Sequence, residues 1–183
     1  YLICVGGYNG ATGTGTMSIS LETAPPPATP GDECDTAGDI VFADGSNAID
    51  TTEMTSSGNN PTGCTNSFGA MANDMWATYT ATADGFMTVW TCPDFDTDLA
   101  VYADCDTVLA CDGDGGDASC QSYDSFIADI PVTAGSSYII RVGGWGAADA
   151  GTGTVEISVA SSAPMGSCCL GIENCLDGAT EME

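Results

Sequence analysis

Short stretches in which apolar and polar residues alternate recur along this chain. The alternation is clear in MTVWT (87–91) and TVEISV (154–159), and it is typical of β-strands that bury one face and expose the other. No stretch keeps the apolar period of a helix, because Gly, Thr, Asp and Ser interrupt every candidate. Many short strands separated by turns predict an all-β fold, an antiparallel jelly-roll-like β-sandwich. The strands are predicted at DIVFA, DMWATYTAT, GFMTVWT, TDLAVYA, TVLAC, SFIADIPV, SSYIIRV and GTVEISV.

One part of the pattern occurs twice. YLICVGGYNGATGTGTMSISLE at the start of the sequence matches YIIRVGGWGAADAGTGTVEISVA, which begins at Tyr138. Both copies predict two strands joined by a Gly- and Thr-rich loop, as in a β-hairpin. A two-stranded hairpin on its own is marginal in water, so the first copy is expected to be completed by another sheet. We therefore interpret the first copy as the end of a preceding repeat.

The sequence divides into five parts by composition. We predict a terminal β-hairpin at 1–23, a proline-rich linker at 24–30 and the β-sandwich at 31–160. A second linker at 161–166 precedes a short cysteine-rich segment at 167–183. This last segment has too few apolar residues to form a core, so disulfides or packing on another surface must hold it.

The charge of the chain is strongly one-sided. It has 26 acidic residues, one basic residue, Arg141, and no histidine, for a net charge of −25. Because nucleic acids and anionic membranes need Lys or Arg to neutralise phosphates, neither is an expected partner. No apolar run is long enough to insert into a membrane. Arg141 is expected to pair with a nearby carboxylate rather than to bind a ligand.

Ten cysteines without histidine indicate disulfides rather than a zinc site, and disulfides indicate an extracellular or cell-surface location. Six of them lie in the predicted sandwich and allow many connectivities. Sequence proximity and the strand positions favour these pairs: Cys34–Cys64, Cys92–Cys105 and Cys111–Cys120.

The other four cysteines lie outside the predicted sandwich. Cys4 takes the place that Arg141 holds in the second copy. A bridge from Cys4 to Cys168, Cys169 or Cys175, within a chain or between neighbours, would join modules covalently. Local pairing among the last three is the alternative.

Eight aspartates fall between positions 94 and 117, and carboxylate oxygens on flexible turns suit Ca²⁺. Neither DFDTD nor DGDGGD begins an EF-hand loop, because the Gly at position 6 and the Glu at position 12 of such a loop are missing in both. The alternative is that these side chains form Asx-turns and keep the surface soluble. Ca²⁺ is the expected cofactor, with these ligands: Asp94, Asp96, Asp98, Asp112, Asp114 and Asp117.

Catalysis is not expected, because a chain without His or Lys cannot assemble a Ser-His-Asp or Cys-His site. Two carboxylates could serve glycoside hydrolysis, but aspartates in Gly-rich turns are more simply solvated turn residues. Aromatic residues could line a sugar-binding face. Trp76 and Trp90 are expected in the core, whereas Trp145 and its counterpart Tyr8 are expected to be exposed in loops.

Three segments resemble the bacterial pre-peptidase C-terminal domain. They are the Trp-x-x-Tyr strand (Trp76, Tyr79), the Asp-Thr-Asp-Leu-x-Val-Tyr segment (96–102) and the strand from Thr133 to Val142. The resemblance covers the predicted sandwich. It implies a small, non-catalytic jelly-roll module that is appended to secreted bacterial enzymes or repeated in large surface proteins, and it carries over no catalytic residue.

Two functions follow from these observations. In the first, the protein is a non-catalytic structural repeat module of an extracellular bacterial surface or filament protein, and its copies assemble head to tail by β-strand complementation and disulfides. In the second, it is a calcium-dependent carbohydrate- or protein-binding accessory module of a secreted enzyme or adhesin. The first function is expected to use these residues: Tyr1, Leu2, Ile3, Cys4, Val5, Tyr8, Met17, Ile19, Leu21, Cys168, Cys169 and Cys175.

Overall fold

A computed structural model gives the fold of the chain. It describes residues 3–20, 28–116 and 120–161, together with the backbone of 168–169 and 175–176. Several residues singled out above lie outside the described part: Tyr1, Leu2, Leu21, Asp117 and the side chains of Cys168, Cys169 and Cys175.

All eight strands that the alternation predicts are present, and the all-β prediction is confirmed. The strand GSNAID was missed, because its residues are mostly polar and Ile49 is its one buried apolar side chain. In chain order the strands are β1 Val41–Phe42, β2 Gly45–Asp50, β3 Ala72–Thr80, β4 Gly85–Pro93, β5 Thr97–Asp104, β6 Thr107–Asp112, β7 Phe126–Val132, β8 Ser137–Gly144, β9 Thr152–Ser161, β10 Cys168–Cys169 and β11 Cys175–Leu176. Two short 3₁₀ turns, Tyr8–Gly10 and Cys34–Asp39, are the helical elements of the described residues.

The strands form two packed sheets. The five-stranded sheet has the order β1-β3-β8-β5-β6, and the four-stranded sheet has the order β2-β9-β4-β7. From β2 to β9, consecutive strands alternate between the sheets except at the β5–β6 hairpin, which is the jelly-roll arrangement. The short β1 adds a parallel edge strand beside β3, and β10 pairs only with β11. The predicted jelly-roll-like sandwich is therefore the observed fold.

The main core lies between the two sheets. It is built from inward-facing residues of both sheets, and Met87, Leu99, Ile140 and Val155 are fully buried in it. A second, smaller cluster containing Trp76 and Tyr102 covers the opposite face of the five-stranded sheet. As a result, both faces of β3 and β5 are buried along most of their length.

Three disulfides join loops and strands that are distant in sequence: Cys34–Cys105, Cys64–Cys111 and Cys92–Cys120. The predicted pairs, Cys34–Cys64, Cys92–Cys105 and Cys111–Cys120, are wrong. Proximity in sequence misled the prediction, because the jelly roll sends consecutive segments to different sheets. Residues 64–65, for example, lie beside the end of β6, where Thr65 forms a bridge with Asp112.

Residues 3–20 contain no strand, and each of them is exposed. The hairpin predicted there is therefore not formed by the described residues of the single chain. The second copy of the pattern is not a hairpin either. Although β8 and β9 are consecutive, β8 pairs with β3 and β5, whereas β9 pairs with β2 and β4. The repeated segment thus supplies a central strand to each sheet.

Candidate functional site

The one basic side chain of the protein is buried on the outer face of the five-stranded sheet. Arg141 on β8 is completely buried, and its Nε donates to Oδ2 of Asp74 on β3 at 2.9 Å. Its Nη2 donates to the carbonyl of Gly58 at 2.9 Å, and the guanidinium carbon lies 4.6 Å from the centroid of the Trp76 ring. The expectation that Arg141 pairs with a carboxylate is confirmed.

Asp74 also holds the loop that covers this face. Its two carboxylate oxygens accept hydrogen bonds from the Ser57 backbone N–H at 2.9 Å and from the Ser57 hydroxyl at 2.6 Å. Trp76 Nε1 in turn donates to the Ser57 hydroxyl oxygen at 2.9 Å. Burial alone would lower the pKa of Arg141, but the hydrogen bond and the charge of Asp74 outweigh it, and the pKa is raised. We assign these residues a structural role.

Four half-buried or buried carboxylates meet at one end of the sandwich. We call them the acidic loop cluster: Asp96 between β4 and β5, Asp98 at the start of β5, Asp114 after β6, and Asp149 between β8 and β9. Oδ1 of Asp96 and Oδ1 of Asp114 are buried without a hydrogen-bond partner in the described structure. Since the one basic residue is bonded elsewhere, no cationic side chain neutralises the cluster.

The cluster shifts the titration of two of its members. Burial raises the pKa of Asp96 to about 6, with the charges of Asp114 and Asp149 contributing. Burial also raises the pKa of Asp98 to about 6; two backbone hydrogen bonds oppose this shift, and the charges of Asp96 and Asp114 add to it. At neutral pH the cluster is therefore charged and uncompensated, so a proton or a bound cation would stabilise it.

Three of the predicted calcium ligands have their oxygens occupied. Asp98 accepts hydrogen bonds from the backbone N–H groups of Gly69 and Met71. Asp94 caps the start of β9, where it accepts hydrogen bonds from the N–H and the hydroxyl of Thr152. Asp112 is buried, and its oxygens accept hydrogen bonds from four residues: Thr65, Asn66, Gly115 and Phe126. Within the described ranges, no group of three or more Asp, Glu, Cys or His side chains is arranged to hold a metal ion.

Sequence reasoning missed Asp149 as a member of the cluster. It is separated from Asp96 by more than fifty residues, and its loop is read as a Gly/Ala turn. The jelly roll brings the two loops together, as the hydrogen bond from the Trp145 N–H to the Asp96 carbonyl at 3.1 Å demonstrates. No local signal in the sequence could have found this neighbour.

The outer face of the four-stranded sheet carries three aromatic side chains, which we call the aromatic strip. Trp90 on β4 lies opposite Phe126 on β7, and Phe86 lies four residues before Trp90 on the same face. Phe86 and Phe126 are 48% and 42% exposed, and Trp90 is half-buried. The prediction that Trp90 lies in the core is wrong, because Met87 and Val89 take the inward positions of β4.

The other aromatic residues lie as expected. Trp76 is buried, in the second cluster rather than between the sheets. Trp145 is half exposed in the β8–β9 loop, where its Nε1 donates to the carbonyl of Ser67 at 2.8 Å. Tyr8, its counterpart in the first copy, is exposed.

The first copy of the repeated pattern carries the apolar residues of two buried strands. On β8 and β9 the inward-facing residues are at most 1% exposed: Ile140, Val142, Val155 and Ile157. Their counterparts in the first copy are between 56% and 76% exposed: Ile3, Val5, Met17 and Ile19. Cys4, which corresponds to Arg141, is exposed as a free thiol.

Comparison with known proteins identifies the family of the sandwich. Residues 30–157 match the T9SS-associated family described as galactose binding domain-like. No curated protein and no solved structure matches the chain. The resemblance to the pre-peptidase C-terminal domain is thus corrected: it holds for a β-sandwich family of surface proteins, but not for that domain in particular.

The family and the disulfides agree on the setting of the protein. A T9SS-associated domain with three disulfides points to an extracellular or cell-surface accessory module. None of the helices in the described part of the chain is long and apolar enough to cross a membrane. The match covers more than half of the sequence, and the chain belongs to the T9SS-associated, galactose binding domain-like family.

Proposed function

We propose that the protein is a non-catalytic structural module of an extracellular assembly, joined to its neighbours by strand complementation through residues 1–21. The proposal rests on the contrast between the buried apolar residues of β8 and β9 and their exposed counterparts in the first copy. Burial of these exposed apolar side chains against a partner sheet is favourable, and strand addition also pairs the backbone N–H and C=O groups of the segment. A chain without His or Lys lacks the groups that usually activate a nucleophile.

Contacts of this kind run head to tail, and a head-to-tail contact that does not close builds a filament. Modules of the same architecture, copies of this chain among them, are the partners to test. Cys4 and the cysteines of 167–183 would add covalent links between neighbours in an oxidising medium.

Electron microscopy of the native, unreduced protein tests the proposal. Regular filaments whose axial repeat matches one sandwich are the expected result. The matched variant replaces both Ile3 and Ile19 by Asp. It leaves every residue of the sandwich unchanged, and we expect it to form no filaments. Dispersed single particles in native material, in which any related modules are also present, would contradict assembly.

A second candidate function is calcium-dependent binding of a carbohydrate or a protein, and two features favour it. The aromatic strip leaves three aromatic side chains partly exposed, and such side chains can stack on the apolar face of a neutral sugar or pack on protein side chains. In the acidic loop cluster, Asp96 and Asp114 keep oxygens of the kind that Ca²⁺ prefers. We propose that Ca²⁺ neutralises this cluster by binding the free oxygens of Asp96 and Asp114, with water completing its coordination.

Calorimetric titration with neutral oligosaccharides, in calcium and in a chelator, tests the second function. Binding should be lost in the chelator and in the Trp90→Ala and Phe126→Ala variants, while the oligomeric state stays the same. Leu109→Ala is the matched control, because Leu109 is similarly exposed but lies on the other sheet. Equal binding by all variants would exclude the aromatic strip as the carbohydrate-binding surface.

A further inference from the structure

The first copy contains glycines at positions where close packing requires glycine inside the sandwich but not in the first copy itself. A Cβ on Gly143 of β8 would lie 2.8 to 2.9 Å from the side chains of Asp74 and Met71 and the carbonyl of Ala72. In the first copy the corresponding Gly6 has no atom within 4 Å of such a Cβ. Close packing therefore requires glycine at Gly143, whereas nothing near Gly6 in the first copy requires it.

The β9 half of the pattern gives the same result. A Cβ on Gly153 would clash with the backbone of Pro93 and Cys92 on β4, whereas the corresponding Gly15 faces open space. The first copy thus repeats the apolar residues of β8 and β9 together with the glycines that stand at their tight contacts. It is suited to the two central positions of a complete sandwich, one in each sheet.

The sandwich of this chain cannot offer those positions. Its own β8 lies between β3 and β5, and its own β9 lies between β2 and β4, so both central places are filled. An acceptor must therefore lack its own last two strands.

Cys4 adds a chemical requirement. It falls where Arg141 lies against Asp74, a carboxylate that is completely buried. A neutral thiol at this place would leave the Asp74 charge buried without a partner, which is strongly unfavourable. It would also leave unpaired the carbonyl of Gly58, which accepts from Arg141. A sandwich that has an acidic residue at the position of Asp74 is therefore a poor acceptor for the first copy.

We infer that residues 1–21 complete a second sandwich that is related to this one but not identical to it: it lacks its own last two strands and has an uncharged residue at the place of Asp74. The inference rests on the proposed strand complementation and names its partner. A mixed array of related modules, rather than a homopolymer of this chain, follows from it.

Strand capture during refolding tests the inference with the full chain. The acceptor is the full chain with Ile140→Asp and Ile157→Asp, two changes that keep its own β8 and β9 from docking in the core. It is unfolded with its disulfides intact and refolded by dilution in an excess of biotinylated peptide, and the peptide retained per folded chain is measured by native mass spectrometry. Three peptides are compared: residues 137–161, residues 1–22 with Cys4→Ser, and residues 1–22 with Cys4→Arg. The Cys4→Ser change prevents disulfide exchange from imitating capture.

The expected result is retention of the 137–161 peptide and of the Cys4→Arg peptide, with at least about tenfold less of the Cys4→Ser peptide. Equal retention of the two residue 1–22 peptides would overturn the inference and leave strand complementation standing. If no peptide is retained, 137–161 included, the sandwich does not accept strands in this way, and the inference falls together with the proposed function.

Discussion

Arg141 links three parts of the structure through one buried side chain. It joins β8 to β3 through Asp74, reaches the covering loop through the carbonyl of Gly58, and lies over the Trp76 ring. A buried ion pair contributes little net stability compared with apolar residues of the same size, but removal of one partner is costly because the other charge stays buried.

We expect Arg141→Met to lower the free energy of unfolding by about 3–5 kcal/mol, because Asp74 is then left unpaired. Chemical denaturation with the disulfides intact measures the change. The double variant Asp74→Leu, Arg141→Met should recover part of the loss, since it removes the unpaired charge. A single variant within about 1 kcal/mol of the unaltered protein would contradict the assigned role of the ion pair.

The acidic loop cluster predicts an unusual response to pH. The folded-state pKa of Asp96 and of Asp98 is raised to about 6, above the ordinary value of 3.8, so the folded protein binds protons that the unfolded chain has released. The free energy of unfolding should therefore fall as the pH rises from about 4 to about 6, and it should stay low above that. Below this window the sign reverses, because hydrogen bonds lower the pKa of Asp50 and Asp104.

Denaturation at a series of pH values, in a chelator, checks this expectation. Asp96→Asn should reduce the dependence of the free energy of unfolding on pH between about 4 and about 6. Asp39→Asn removes one exposed charge and should leave that dependence unchanged. Added Ca²⁺ should stabilise the protein at neutral pH and lose this effect as the cluster becomes protonated. Stability that rises with pH across the window in the unaltered protein would refute the interpretation.

Each of the three disulfides ties a loop or turn to a distant element of the sandwich. One ties the 3₁₀ turn Cys34–Asp39 to the β5–β6 turn, the second ties the β2–β3 loop to β6, and the third ties β4 to the β6–β7 loop. In the chain-entropy account, a disulfide stabilises the fold by restricting the unfolded chain, and the effect grows with the size of the closed loop.

Replacing the cysteines pairwise by Ala should therefore destabilise the protein in the order of loop size. The loss is expected to be largest for Cys34–Cys105, with a sequence separation of 71, and smallest for Cys92–Cys120, with a separation of 28. The chain-entropy account gives about 4.4 and about 3.6 kcal/mol for these two pairs. Denaturation of the variants gives the order, and a reversal would mean that native-state contacts outweigh loop entropy here.

At the scale of the whole molecule, charge opposes association. The one basic residue is buried, so the described surface carries no positive side chain against a net charge of −25. Copies of such a surface repel each other over roughly a Debye length, about 10 Å at moderate salt. Any assembly of identical or related modules must overcome this repulsion at the contact.

We expect the protein and its partner modules to stay apart at low salt and to associate only when salt or divalent cations screen the charge. Light scattering across a salt series, with and without Ca²⁺, measures this. Sodium chloride at matched ionic strength separates general screening from a specific effect of Ca²⁺. Association that weakens as salt is added would contradict the expectation.

The first copy of the repeat should make no contribution to the stability of the sandwich. Residues 3–20 are exposed and form no strand, so a chain that begins at residue 28 should unfold at the same denaturant concentration as the full chain. A loss of more than about 1 kcal/mol would show that the first copy packs on its own sandwich, and strand donation to a partner would then be disfavoured.

The sequence by itself determined the all-β class, the eight strands with a clear apolar alternation, the repeated sequence pattern and the disulfide-bonded, strongly acidic character of the module. These are local properties: strand alternation, turn residues and composition need no knowledge of neighbours. The tertiary structure alone decided which cysteines pair, which face Trp90 takes, that β8 and β9 separate into different sheets, and that Asp149 joins Asp96. Each depends on contacts between segments far apart in sequence, and the jelly roll creates those contacts by sending consecutive strands to opposite sheets.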